Sequence, residues 1–120
     1  MGGIATNRGS IDVAGAGGGA ATPIVFLHGV GSDKSVWAPQ LDHFGGSRRA
    51  IALSYPGYGA SDFIANATRD DFAASVLAVM DSLRIVRAHV CGLSLGGVIA
   101  IALYAAAPER CASLDRKSVV

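Results

Sequence analysis

The sequence predicts an α/β fold, a parallel-rich sheet with helices on both faces. Two observations predict it. Short apolar runs at 23–27, 49–53 and 88–91 alternate with helix-like segments beginning at 68 and 95. A glycine-rich turn around Ser94 then joins the last apolar run directly to the last helical one. The chain has 120 residues, 51% of them hydrophobic and 16% charged, so it can bury one core and is too apolar for general disorder.

The elements follow in order. Residues 1–9 carry little pattern and are expected to be a flexible N-terminus. The domain is expected to run from 10 to 114. Ser10-Ile11-Asp12-Val13 reads as a short strand, and the Gly/Ala stretch after it as a flexible hairpin loop. Pro23-Ile24-Val25-Phe26-Leu27 is continuously apolar, as a strand buried on both faces must be. His28-Gly29-Val30-Gly31-Ser32 ends it as a turn. Val36 to Phe44 reads as a short helix and Arg49 to Leu53 as a second buried strand. Thr68 with Asp71 three residues on forms a capping box. Behind it Phe72, Val76, Val79, Met80 and Leu83 recur at helical spacing. Ala88 to Cys91 is a third strand, Leu95 to Ala107 a helix, and Pro108 ends it.

Several function classes are excluded at this level. The net charge is +1 and no basic cluster appears along the sequence, so nucleic-acid binding has no footprint. Cys91 and Cys111 make neither a disulfide framework nor a metal-ligand spacing, and no metal or cofactor is expected. Gly15-Ala16-Gly17-Gly18-Gly19-Ala20 matches a dinucleotide fingerprint, but Ala21-Thr22-Pro23 leads into a strand where that fingerprint must open a helix. No signal-peptide pattern and no bilayer-length apolar stretch are present, so a cytoplasmic protein without membrane contact is expected.

Gly92-Leu93-Ser94-Leu95-Gly96 matches G-x-S-x-G between a strand and a helix, the context of a nucleophile elbow. There a serine in a strained backbone conformation projects its hydroxyl above the sheet, and glycines two residues either side remove Cβ clashes. Gly97 extends the close approach along the first helical turn. The helix N-terminus aims N–H groups at the place where an oxyanion forms. The two expected donors are the backbone N–H groups of Leu95 and, one strand earlier, of Val30 after His28-Gly29.

Phe26-Leu27-His28-Gly29, Tyr55-Pro56-Gly57-Tyr58-Gly59-Ala60-Ser61 and Gly92 to Gly97, in this order, resemble the N-terminal half of an α/β-hydrolase-fold protein. The resemblance covers roughly residues 10 to 114. It implies a serine hydrolase of the esterase or lactonase type, with Ser94 the nucleophile and a small ester or lactone the substrate. One departure is Ser54, where the family often has Asp. The triad order Ser, acid, His asks for a histidine after Ser94, and the three histidines of the chain, His28, His43 and His89, all precede it. The expectation is therefore a fragment, inactive as written, whose acid and histidine lie outside it. Two alternatives carry the same motifs: a non-catalytic hydrolase-fold ligand-binding protein, and a cofactor-free haloperoxidase-like hydrolase. Asp115 to Val120 is polar and resembles one translated frame of a sequencing adapter, so 115–120 is expected to be an artefactual tail without a structural role.

Overall fold

The computed structural model describes residues 2–117. A six-stranded sheet runs through it: β1 (Gly3–Thr6), β2 (Gly9–Ala16), β3 (Ile24–Leu27), β4 (Ala50–Leu53), β5 (Ala88–Leu93) and β6 (Cys111–Lys117). Three helices pack on it: α1 (Ala38–Phe44), α2 (Arg69–Ser82) and α3 (Leu95–Ala106). The spatial order is β1-β2-β4-β3-β5-β6. β1–β2 and β2–β4 pair antiparallel, and the three pairings from β4 to β6 are parallel.

Strand alternation divides the core into two layers. Val25 and Leu27 of β3, Ile51 and Leu53 of β4, and Ala88 and Val90 of β5 face α2 and α3, with Val76, Val79, Met80, Ile99 and Leu103. Phe26, Ala50 and Ala52 face the other way, against Trp37 and Leu41 of the segment that includes α1. The continuously apolar runs are thus buried on both faces, as their composition requires. α2 begins as its sequence predicts: Thr68 Oγ1 accepts from Asp71 N–H at 3.2 Å, and Thr68 N–H donates to the Asp71 carboxylate at 2.8 Å.

The strand order reverses at β3. From β3 the chain crosses to β4 on one side, and from β5 it moves to β6 on the other. At such a reversal the connections leave the two strands toward opposite faces of the sheet, and the ligand crevice of open α/β sheets is expected beyond the C-terminal ends of β3 and β5.

Three expectations differ from the structure. Within residues 1–9, Gly3–Thr6 is not loose chain but β1, with Ile4 opposite Ile11 and the Arg8 guanidinium paired to Asp71 at 2.9 Å. A single apolar residue and one hairpin carry too little periodicity to announce that strand. Gly15 and Ala16 extend β2 opposite Ile51 and Ala50 rather than opening the loop. Asp115, Arg116 and Lys117 lie in β6, opposite Cys91, Gly92 and Leu93. They are exposed. A ladder is made by backbone groups, so an edge strand with a solvated face tolerates polar side chains that a central strand would not. Ser118 to Val120 lie outside the described residues.

The Lys117 carbonyl also accepts the Ser94 N–H at 2.7 Å. A chain ending at Leu114 is therefore expected to melt roughly 5–10 °C lower, the equivalent of about 1–2 kcal/mol in a domain of this size. An unchanged Tm by differential scanning calorimetry would show that residues 115–117 add nothing to the sheet.

Candidate active site

Ser94 stands at the exposed junction of β5 and α3 with φ 56° and ψ −113°. These angles lie close to the first central position of a type II′ turn, about +60° and −120°, which glycine normally occupies. The neighbouring glycines explain how the strain is held. A Cβ on Gly92 would overlap the Gly96 carbonyl and stand 2.6 Å from Gly97 N. One on Gly96 would overlap the carbonyl of Leu27 and stand 3.0 Å from that of His28. One on Gly97 would meet Arg116 Cβ at 3.0 Å. Helix α3 thus rests on the ends of both β3 and β5, and the turn between β5 and α3 has no room to relax.

The loop after β3 reaches the same point. A Cβ on Gly29 would lie 3.5 Å from Ser94 Cβ and 3.4 Å from Leu93 O. Val30 follows with its side chain 72% exposed, so nothing covers the loop there. Among the described residues, neither the Val30 N–H nor the Leu95 N–H donates to a protein acceptor. For Leu95 this is the ordinary condition of a first helical residue. The residue before Val30 and the residue before Leu95 are thus in contact, and Val30 and Leu95 each keep an unpaired backbone N–H among the described residues.

His28 holds this loop rather than entering the crevice. It is fully buried, with Nδ1 2.8 Å from Gly29 O and Nε2 3.4 Å from Tyr55 N. These partners assign Nδ1 as the protonated nitrogen and Nε2 as an acceptor. The Tyr55 hydroxyl donates to His28 O at 2.7 Å, and the Tyr55 and Tyr58 rings pack around the imidazole. Burial pushes the His28 pKa below the ordinary histidine range, against the opposing pull of the Gly29 hydrogen bond and the Asp33 charge. Burial likewise pushes the Tyr55 phenol far up.

His89 sits five residues before Ser94 on β5, about 16 Å away at 3.3 Å per residue, with Nδ1 2.7 Å from Ser113 Oγ. His43 is exposed on α1. None of the three histidines is hydrogen-bonded to Ser94.

Two residues that sequence reasoning passed over tie the crevice loops together. Asp12, only 6% exposed, accepts from Lys34 Nζ at 2.9 Å and from Ala60 N–H at 3.2 Å. Lys34 N–H donates to Ser54 Oγ at 3.1 Å. At position 54, then, a hydroxyl meets the loop after β3, while the nearby carboxylate comes from β2. The signal was a charged residue between Ile11 and Val13 in a strand buried on both faces.

A family model described as the alpha/beta hydrolase fold matches residues 22–114. The chain belongs to this family. It is 37% identical over 81 residues to 3-oxoadipate enol-lactonase 1 of Acinetobacter baylyi, a match covering 68% of the chain and 30% of that protein. It is 38% identical over 100 residues to the dihydrolipoyllysine-residue acetyltransferase component of the acetoin cleaving system of Pseudomonas putida, covering 82% of the chain and 27% of that protein. Among solved structures it superposes on the enol-lactonase from Burkholderia xenovorans LB400 with a TM-score of 0.87 at 32% identity, covering 93% of the chain and 44% of that one. The chain thus spans less than half the length of each of these proteins. No helix among the described residues is long and apolar enough to cross a membrane.

The neutral state of His28 has a consequence for stability. Its folded pKa lies below its unfolded value of about 6.5, so beneath that pH the unfolded chain binds more protons. Urea midpoints are expected to be level well above pH 6.5 and to fall as the pH is lowered through and below that value. Asp33 and Asp71, lowered from 3.8, lose their contributions only at lower pH. His28→Asn is expected to flatten the fall. The same slope in that variant would contradict the assignment.

Proposed function

We infer that the protein is a serine hydrolase acting on a small ester or lactone, with Ser94 as nucleophile and the Val30 and Leu95 N–H groups as the oxyanion hole. The observation that carries this reading is an exposed, conformationally strained serine with the loop after β3 packed against it, and unpaired backbone N–H groups at Val30 and Leu95. Ser94 Oγ attacks the acyl carbonyl and forms an acyl-enzyme. The oxyanion is held by backbone N–H groups that need no reorganisation, a contribution of about 3–4 kcal/mol per donor in serine hydrolases. The alkoxide or enolate leaves, and water releases the acid.

The proton of Ser94 needs a base. His28 is engaged at both nitrogens, and His43 and His89 are out of reach. The base and its orienting carboxylate are therefore assigned to residues outside these 120, which is compatible with the share of each relative that the chain spans. Water, Ser94 and those two groups suffice for the chemistry, so the reading calls on no metal or cofactor. The enol-lactonases among the similar proteins support a lactone or ester substrate.

The 120 residues alone are expected to hydrolyse p-nitrophenyl acetate no faster than their Ser94→Ala variant. In the whole protein, carrying the acid and histidine, rapid quenching and peptide mass mapping are expected to find the acetyl group on the peptide that contains Ser94. A Ser94-dependent rate in the short chain, or acylation elsewhere in the long one, would contradict the reading.

A further inference from the structure

At the opposite end of the sheet from Ser94, the fold gathers positive charge that is scattered along the sequence. A cavity of about 360 Å³ is lined by Arg49, Arg84 and Arg87 together with the loop at 19–23. Arg49 immediately precedes β4, Arg84 follows α2, and Arg87 immediately precedes β5. No acidic side chain lines this cavity.

The protein uses little of this charge itself. The carbonyls at the end of α2 are taken by other groups: Arg49 donates to Leu83 O at 2.9 Å, and Arg110 donates to Ile85 O at 2.8 Å and also to Val86 O. Asp81, the nearest acid on α2, is paired with Arg110 at 2.8 Å. Among the described residues, the side chains of Arg84 and Arg87 donate to no protein acceptor, and both residues are exposed.

Two backbone observations point the same way. Arg84 has φ 58°, in the left-handed position that closes a helix and that glycine fills without strain. An arginine there accepts a steric cost that the helix end does not require. On the facing rim, a Cβ at Gly18 or Gly19 would meet nothing within 4 Å, and Gly19 has φ 98°. The N–H groups of Gly19, Ala20 and Ala21 have no protein acceptor among the described residues. The glycine stretch that fails as a dinucleotide fingerprint thus lies open beside three guanidinium groups.

We propose that Arg49, Arg84 and Arg87, with the backbone of the 19–22 loop, bind a phosphate-bearing small molecule. Guanidinium groups recognise a tetrahedral oxyanion through paired, charge-assisted hydrogen bonds, and backbone N–H groups complete its shell. The concavity of the site favours a small ligand over a membrane or a nucleic acid, which need an extended flat or grooved surface.

Inorganic phosphate is the first probe and glycerol phosphate the second, each titrated into the chain against sodium chloride at matched ionic strength and followed by amide chemical shifts. Saturable shifts are expected at Gly19 to Ala21 and at Arg84 to Arg87. Stronger binding of glycerol phosphate than of phosphate marks a phosphomonoester as the ligand, and equal binding marks the free ion. Arg87→Gln is expected to weaken binding at least tenfold. Arg84→Gly is expected to do the same while leaving the Tm equal or higher, which separates loss of the site from loss of the fold. Arg69→Gln, an exposed arginine on α2, is expected to change nothing. Shifts that do not saturate, an equal loss in Arg69→Gln, or binding of anionic vesicles or oligonucleotides without binding of phosphate would each overturn the proposal.

Discussion

A Cβ at Gly92 would overlap Gly96, and a Cβ at Gly96 would overlap Leu27. These two contacts fix how near α3 comes to the sheet, and the rest of the site depends on that distance. With the helix pressed onto the ends of β3 and β5, the single residue between β5 and α3 must reverse the chain. Ser94 does so at φ 56°, ψ −113°. A non-glycine residue in such a region costs of order 1–3 kcal/mol and persists only where its surroundings over-determine it. Here they do: the preceding strand is paired on both sides, the following helix is packed on α2 and β3, and the Ser94 N–H is bonded to β6.

The same contact brings the loop after β3 beside Ser94, because Gly96 rests on the carbonyls of Leu27 and His28. His28 then turns inward, neutral and bonded at both nitrogens, and fixes the chain that leads to Val30. Asp12 on β2 ties Lys34, in the loop after β3, to Ala60, in the loop after β4. His28 and Asp12 are buried and Lys34 half-buried, and all three are hydrogen-bonded within the protein, so their work is positional. The Val30 and Leu95 N–H groups and the Ser94 hydroxyl, by contrast, have no protein partner among the described residues.

Much of this was legible in the sequence, for physical reasons. A strand buried on both faces must be apolar throughout, which marked β3, β4 and β5. A capping box needs two specific side chains at one spacing, which marked the start of α2. Close approach of helix to strand needs glycine at fixed offsets, which marked Gly92 and Gly96. β1 and the end of β6 were not legible, because edge strands are held by backbone hydrogen bonds that no side chain reports. Asp12 and Lys34 lie 22 residues apart and meet only through the sheet. The three arginines around the second cavity were likewise invisible as a cluster, since nothing places them together until the strands pair.

Packing, not local preference, strains Ser94. The most direct test is the unfolding free energy of Ser94→Gly beside Ser94→Ala, by urea denaturation. Glycine releases the strain and costs about 0.5–1 kcal/mol of chain entropy, so a net gain of about 0.5–2 kcal/mol over the parent is expected, with none for alanine. A loss of about 1 kcal/mol in Ser94→Gly, the ordinary effect of glycine at an unstrained position, would contradict the account.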